Sequence, residues 1–339
     1  MSIRAQAAVE HHSRWSYVSG PGLPPLLGLT IGQVVDRAAE LYGEREGLVV
    51  SHQSVRRDFI QLRREIDSLA AGFIDLGLEP GDRVGIWGPN THQWFVTQFA
   101  AAKAGLVLVN INPAYQAGEL HYCLNKVGVR CLVAADSFKT QNYHKMLTEI
   151  IPELETSGPA LSLNSRAVPS LMAVVMMSES EHSGSFRFQD VMSNPGSDNL
   201  KRVAGLTNTI RMDDPCNIQF TSGTTGQPKG VTLSHHNIVN NANQIGHRIG
   251  YGDKPHRICL SVPLYHCFGC VIGTLCGMIH GATNVLPCPS FNGAACVEAI
   301  EAERCTSIYG TPTMFIDMLQ FQGSCREFSR LVLFNILTF

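Results

Sequence analysis

The chain has 339 residues, 44% of them hydrophobic and only 16% charged, against about 25% charged in an ordinary soluble domain. That length suggests about two domains with a sizeable core, which excludes a disordered chain. With 26 basic and 28 acidic residues the formal net charge is −2, so no global field exists to hold nucleic acid.

Residues 1–27 read as a tail. The first 30 residues carry Arg4, Arg14 and a single acid, Glu10. That is acid-poor, as a mitochondrial presequence is, but not arginine-rich, so the targeting signal is weak. His11 and His12 read as part of a solvated tail. The first helix is marked by Ile31, Val34, Val35, Ala38, Leu41 and Tyr42 on one face. Thr30 with Gln33 forms a capping box, and Gly43 supplies the stop. Asp58 and Gln61 repeat that logic for a helix over 59–76, with Leu62, Ile66, Leu69 and Phe73 facing inward.

A strand at 83–87, a turn at Pro89-Asn90 and a helix over 92–104 come next. A strand over 106–109, a helix over 117–126 and a strand over 130–134 continue the alternation. Strands separated by helices of this length pair in parallel through right-handed crossovers, so the fold class is α/β. Residues 153–170 and 178–200, rich in Ser, Pro, Gly and Asn, read as surface connections on either side of a short strand ending at Met177.

A subdomain boundary is expected near 205, dividing 28–205 from 206–320. The second alternation runs strand (217–220), loop, strand (231–233), helix (237–248), strand (258–262) and helix (268–279). It closes with strand (284–287), helix (294–303), strand (306–309) and helix (312–320), leaving 321–339 as a divergent apolar tail. There is no internal repeat. From Ile258 to Val297 the chain carries no charged residue. Residues 262–279 match a membrane span in length, but Pro263, Tyr265, His266 and several glycines favour a buried strand, loop and helix.

Eleven cysteines, odd in number and irregular in spacing, fit a reducing compartment better than a disulfide scaffold. Cys267 and Cys270 form a Cys-x-x-Cys pair. No second pair with zinc spacing accompanies it, so both read as small apolar core residues.

The segment from Ile218 to Val231 carries the chemistry. It holds glycines 223, 226 and 230, hydroxyl residues 221, 222, 224 and 225, and Lys229 between two short strands. Glycines let backbone N–H groups turn toward an anion, hydroxyls add donors or a Mg²⁺ ligand, and the lysine supplies mobile positive charge. Composition alone fits a solvent-exposed turn as well as a polyphosphate cradle. A Walker loop is excluded because Pro228 and Gly230 break its spacing, and no Gly-x-Gly-x-x-Gly follows a strand.

The order Thr221-Ser-Gly-Thr-Thr-Gly-Gln-Pro-Lys-Gly230 resembles the signature loop of the adenylate-forming (AMP-binding) enzymes, which include acyl-CoA synthetases and luciferases. Pro263-Leu-Tyr-His-Cys-Phe-Gly269 and Tyr309-Gly-Thr-Pro-Thr-Met314 resemble two further segments of that family. Trp87-Gly-Pro-Asn90 and Asn110-Ile-Asn-Pro-Ala-Tyr115 fit its first subdomain, and the wording of all these is similar to that of mitochondrial medium-chain acyl-CoA ligases.

The resemblance covers about 28–320 and implies the family's large N-terminal domain, two parallel or mixed sheets flanked by helices. It implies a fatty carboxylate attacking the α-phosphorus of Mg·ATP, then transfer of the acyl group to coenzyme A. Thr221, Ser222, Gly223, Thr224, Thr225, Gly226, Gln227, Pro228, Lys229 and Gly230 would hold the phosphates. Thr221 or Thr224 would face Mg²⁺, and Lys229 would neutralise the departing pyrophosphate. His266, with Cys267, Phe268 and Gly269, would lie where the acyl and nucleotide sites join; without the resemblance His266 reads as a core histidine. Tyr309, Gly310, Thr311 and Pro312 would line the acyl pocket, and the charge-free stretch would wall it.

Partners are then small molecules (fatty acid, ATP and CoA), with no nucleic acid and no transmembrane segment. Oligomeric state stays open, and the location is mitochondrial by resemblance, with cytoplasmic as the alternative. The family pattern also continues past residue 320 with a Mg²⁺-binding Glu, a ribose-binding Asp, a hinge and a small lid carrying a catalytic lysine. None of these is in the sequence, so the expectation is a truncated chain that cannot close over substrate.

Overall fold

The computed structural model describes residues 24–159, 163–193, 195–221, 227–321 and 332–333. Two sheets organise them. The first has seven strands in the order Lys229–Ser234, Pro215–Thr221, Val107–Ile111, Arg83–Trp87, Val129–Ala135, Ala173–Met177 and Phe186–Arg187. All its pairings are parallel except the antiparallel hairpin of Pro215–Thr221 with Lys229–Ser234. The second has six, in the order Val332–Leu333, Ser307–Tyr309, Arg257–Leu260, Thr283–Leu286, Glu46–Val50 and Val55–Asp58.

Period-two alternation explains the layering. Val84 and Ile86 from the first sheet, and Leu48, Val50, Ile258 and Leu260 from the second, enter one shared core. The helices Phe59–Asp75 and His92–Lys103 fill it with Leu62, Ile66, Phe73, Trp94, Phe95 and Phe99. The intervening residues face outward. Trp87, Val109 and Leu132 pack under the helices Ala117–Lys126 and Tyr143–Ile150. Val49, Cys259, Val285 and Ile308 pack with the helices Gly293–Ala302 and Pro312–Leu319. Helices therefore lie between the sheets and against both outer faces, a mixed α/β arrangement.

Both expected capping boxes are present, at Thr30 with Gln33 and at Asp58 with Gln61. Three features depart from the sequence expectation. The strands Glu46–Val50 and Val55–Asp58 were not foreseen, and Glu46–Val50 pairs in parallel with Thr283–Leu286, more than two hundred residues on. Both sheets consequently draw strands from either side of residue 205, so a division there does not divide the sheets. The supposed surface connection over 178–200 contains the helix Phe188–Ser193 and the start of Ser197–Leu206. Phe188, Val191 and Val203 anchor these two helices in the main core. Gly72 admits that contact, because a Cβ there would overlap the Val191 carbonyl oxygen.

The membrane-length stretch, which follows the strand Arg257–Leu260, becomes a loop, a π-helix over Phe268–Leu275 and most of the short helix Cys276–His280. Among the described residues no helix is long and apolar enough to cross a membrane.

Candidate functional site

Parallel strands end together, and loops at their carboxyl ends are where α/β sheets gather ligands. In the first sheet Trp87 stands beside Ile111, and Asn110 beside Gln219. In the second, Val50 stands beside Leu286 and Leu260 beside Tyr309. Loops from both sheets meet around a cavity of about 200 Å³ whose walls include Pro89, Asn112, Pro263, Tyr265 and Phe291. A larger cleft, about 540 Å³, lies elsewhere, between Val49–Arg56 and the Gly293–Ala302 helix, and none of the sequence-predicted site residues lines it.

Asn90 joins the two sets of loops. Its side-chain amide donates to the Val262 carbonyl at 3.0 Å, and its Oδ1 accepts from the Leu264 N–H at 2.8 Å. Its own backbone N–H donates to the Pro289 carbonyl at 2.9 Å. One buried side chain thereby fixes the loop that presents His266.

Thr221 ends its strand directly opposite Lys229, so the strands Pro215–Thr221 and Lys229–Ser234 pair up to the two ends of the glycine-rich segment. Ser222, Gly223, Thr224, Thr225 and Gly226 lie outside the described residues. Thr221, Gln227, Lys229 and Gly230 are exposed. The Tyr122 hydroxyl donates to the Pro228 carbonyl at 3.1 Å and ties the returning strand to the Ala117–Lys126 helix. An exposed lysine beside a strand-end hydroxyl suits an incoming polyphosphate. Among the described residues no group of His, Cys, Asp or Glu could hold a metal ion.

His266 is exposed, contrary to the core-histidine reading. Its Nδ1 accepts from the Phe268 N–H at 3.1 Å, which places the ring proton on Nε2. Partial desolvation lowers its pKa from the usual value. Its carbonyl accepts from the N–H groups of Gly269 (2.9 Å) and Cys270 (3.1 Å), starting the π-helix. Cys267 is exposed while Cys270 is buried, and burial pushes the Cys270 thiol up to about 12. The pair is thus split between solvent and core.

The Phe268 ring tilts against Tyr309 at 5.8 Å between centroids, and Ser261 Oγ donates to the Tyr309 carbonyl at 3.0 Å. Tyr309 and Gly310 are buried, whereas Thr311 and Pro312 are exposed at the start of the next helix. The His266 segment and the Tyr309 segment therefore touch. As for the apolar walls, Leu260, Val262, Leu264, Val271 and Leu275 are packed into the main core rather than lining open space.

Sequence reasoning missed a polar chain linking the Pro215–Thr221 strand to the π-helix. Asn110 Nδ2 donates to Asn217 Oδ1 at 2.9 Å, and Gln219 Nε2 donates both to that oxygen (2.9 Å) and to Cys270 Sγ (3.4 Å). From the other side, Gln98 donates to the Cys270 carbonyl at 2.8 Å. The available signal was an amide side chain inside an apolar strand or helix, as at Asn110 and Gln98.

A profile of the AMP-binding enzyme family matches residues 35–335. The chain is 45% identical over 305 residues to the mitochondrial medium-chain acyl-CoA ligase ACSF2 of Danio rerio, covering 90% of this chain and 50% of that protein. The human ACSF2 ligase is 45% identical over 308 residues, with the same coverage. Among solved structures, the long-chain-fatty-acid-CoA ligase FadD1 of Archaeoglobus fulgidus superposes with a TM-score of 0.69 at 22% identity. That match covers 92% of this chain and 57% of the other. The chain spans about half the length of the curated relatives it matches.

Proposed function

The chain belongs to the AMP-binding enzyme family, and from that premise we propose that it carries the nucleotide and acyl sites of an ATP-dependent acyl-CoA ligase. The observation that carries this reading is the 45% identity to medium-chain acyl-CoA ligases across 90% of the chain. The substrates are a fatty acid, medium-chain by those relatives, with Mg·ATP and then CoA. The carboxylate attacks the α-phosphorus, pyrophosphate leaves, and the sulfur of CoA takes the acyl group from the adenylate. Such chemistry needs positioning and charge neutralisation more than a strong base.

Lys229 and the 221–230 hairpin hold the β and γ phosphates, with Thr221 or Thr224 turned to the magnesium of Mg·ATP. His266 sits where carboxylate and nucleotide meet. A neutral imidazole with its proton on Nε2 can donate to a carboxylate oxygen without adding a fixed charge. Cys267, Phe268 and Gly269 with Tyr309, Gly310, Thr311 and Pro312 form the acyl side, and Met314 closes it. A mitochondrial location follows the same relatives.

A second reading has the chain binding both ligands without completing turnover. Calorimetric titration with Mg·ATP and with a non-hydrolysable acyl-adenylate analogue tests the shared part. Micromolar binding of the analogue is expected, and its absence from a folded chain would sink both readings. Fatty-acid-dependent exchange of labelled pyrophosphate into ATP then separates them: exchange supports the ligase, and binding without exchange supports the second reading.

A further inference from the structure

Cys270 is held from several sides near the start of the π-helix. Its N–H donates to the His266 carbonyl at 3.1 Å. Its own carbonyl accepts from Gln98 Nε2 at 2.8 Å and lies 2.7 Å from Thr274 Oγ1, whose hydroxyl also stands 2.8 Å from Gln98 Oε1. Its sulfur accepts from Gln219 Nε2 at 3.4 Å. Turns of π-helix are rare and are frequent at functional sites. This one is tied through a single residue both to the His266 loop and to the Pro215–Thr221 strand.

Which face of that strand Gln219 occupies follows from the period of two. Side chains two residues apart share a face, and so do directly opposed residues of an antiparallel pair. Asn217, Gln219 and Thr221 therefore stand on one face, and Lys229, opposite Thr221, stands on it too. The contact with Cys270 identifies it as the face turned toward the π-helix. Among the described residues that contact is the one hydrogen bond between the Pro215–Thr221 strand and residues 263–280. Asn217 Oδ1 keeps the Gln219 amide aimed, accepting from it at 2.9 Å while also accepting from Asn110 Nδ2 at 2.9 Å.

We propose that Gln219 is a positioning residue that couples the nucleotide and acyl sites through Cys270, a proposal that rests on the ligase reading above. A polyphosphate seated on Thr221 and Lys229 stiffens the strand end that carries Gln219. The tether passes that order to Cys270 and, through its N–H, to the His266 carbonyl. A fatty carboxylate then meets a loop that is already ordered, so the first ligand tightens the second. Linkage makes the effect reciprocal, by the same factor in either order of addition.

The test is calorimetric titration of the chain with octanoate, with and without saturating magnesium α,β-methylene-ATP, whose bridge blocks transfer at the α-phosphorus. The nucleotide should tighten octanoate binding about fivefold or more, the lower end of ordinary coupling between sites. Gln219→Met keeps the length, removes the donor and should abolish that tightening. The factor is a ratio, so an altered affinity for either ligand alone does not move it. The melting midpoint should hold, because Asn217 keeps Asn110 and a thiol sulfur is a weak acceptor. Cys270→Ala should lose the coupling to the same extent, and the double variant should lose no more than either. If Cys270→Ala does not fold, Gln219→Met still decides. Undiminished tightening in Gln219→Met would overturn the proposal, and so would an unaltered chain that binds both ligands without tightening. A folded, unaltered chain that binds neither ligand would instead overturn the ligase reading, and this proposal with it.

Discussion

Lys229 and Asn90 serve the candidate site in opposite ways, one through exposure and one through burial. Lys229 is exposed and stands opposite Thr221 at the hairpin base, so its ammonium packs against nothing that folding needs. Lys229→Ala should weaken Mg·ATP binding about tenfold to a hundredfold, the size of one or two charge-assisted hydrogen bonds. The thermal midpoint should stay put, and calorimetry beside a melting curve checks both halves. Unchanged affinity would remove the hairpin from the nucleotide site. Asn90 is 4% exposed and satisfies the Val262 carbonyl and the Leu264 N–H with one amide. Asn90→Ala leaves both backbone groups buried and unpaired, a loss of about 2–4 kcal/mol at the usual cost per orphaned group. Urea unfolding should show it as a lowered midpoint with an unchanged slope.

At the scale of elements, the π-helix over Phe268–Leu275 depends on a glycine. A Cβ at Gly269 would overlap the Pro263 carbonyl oxygen and lie 2.7 Å from the Leu264 Cα. Both are backbone, so neither can swing away. Gly269→Ala should cost about 1–3 kcal/mol, as overpacking does, and should displace the loop bearing His266. Loss of acyl-adenylate analogue binding larger than the stability loss would show that displacement; wild-type binding would place the site elsewhere. This element marks the limit of what the sequence disclosed. The 268–279 helix was legible from its apolar run, but not its π geometry or the close approach of Gly269 to the 263–264 backbone. Caps at Thr30 and Asp58 were legible because they are local reciprocal hydrogen bonds. The strand Glu46–Val50 was not, because its pairing partner is Thr283–Leu286 and its burial comes from that distant sheet. For the site, the 221–230 and 263–269 motifs stood out as wording. The Asn110–Asn217–Gln219–Cys270 chain did not, because single amides carry no local pattern until the fold brings them together.

Over the whole molecule, the early chain is strapped to its second half through the His235–Ile249 helix. Asn240 exchanges hydrogen bonds with Leu27 at 2.7 and 3.0 Å, Gln244 donates to the Pro24 carbonyl at 3.0 Å, and His235 Nδ1 accepts from the Ile31 N–H at 3.1 Å. His235 is 1% exposed, and burial lowers its pKa to about 4 despite the opposing pull of Asp214. His280, beside His247 and under the same helix, is lowered to about 4 by burial and then by that neighbour. A histidine whose folded pKa lies below its unfolded value of about 6.5 adds stability while neutral. That stability falls as acidity rises, because the unfolded chain takes the proton first. The loss should begin near pH 6.5, continue toward pH 4, and reach about 2 kcal/mol for His235 alone by pH 5. Glu46 and Glu65, whose pKa values are lowered by their Arg and His partners against burial, add their own loss only below the ordinary carboxylate range. Asp67, raised by burial, works in the opposite direction as it protonates. Comparing urea midpoints at pH 7.5 and pH 5 isolates the histidine contribution when His235→Gln is measured in parallel. The variant should lose less stability between the two pH values than the unaltered chain, because it has no proton to take at the strap. Equal losses would mean that His235 does not gate the connection between the two halves.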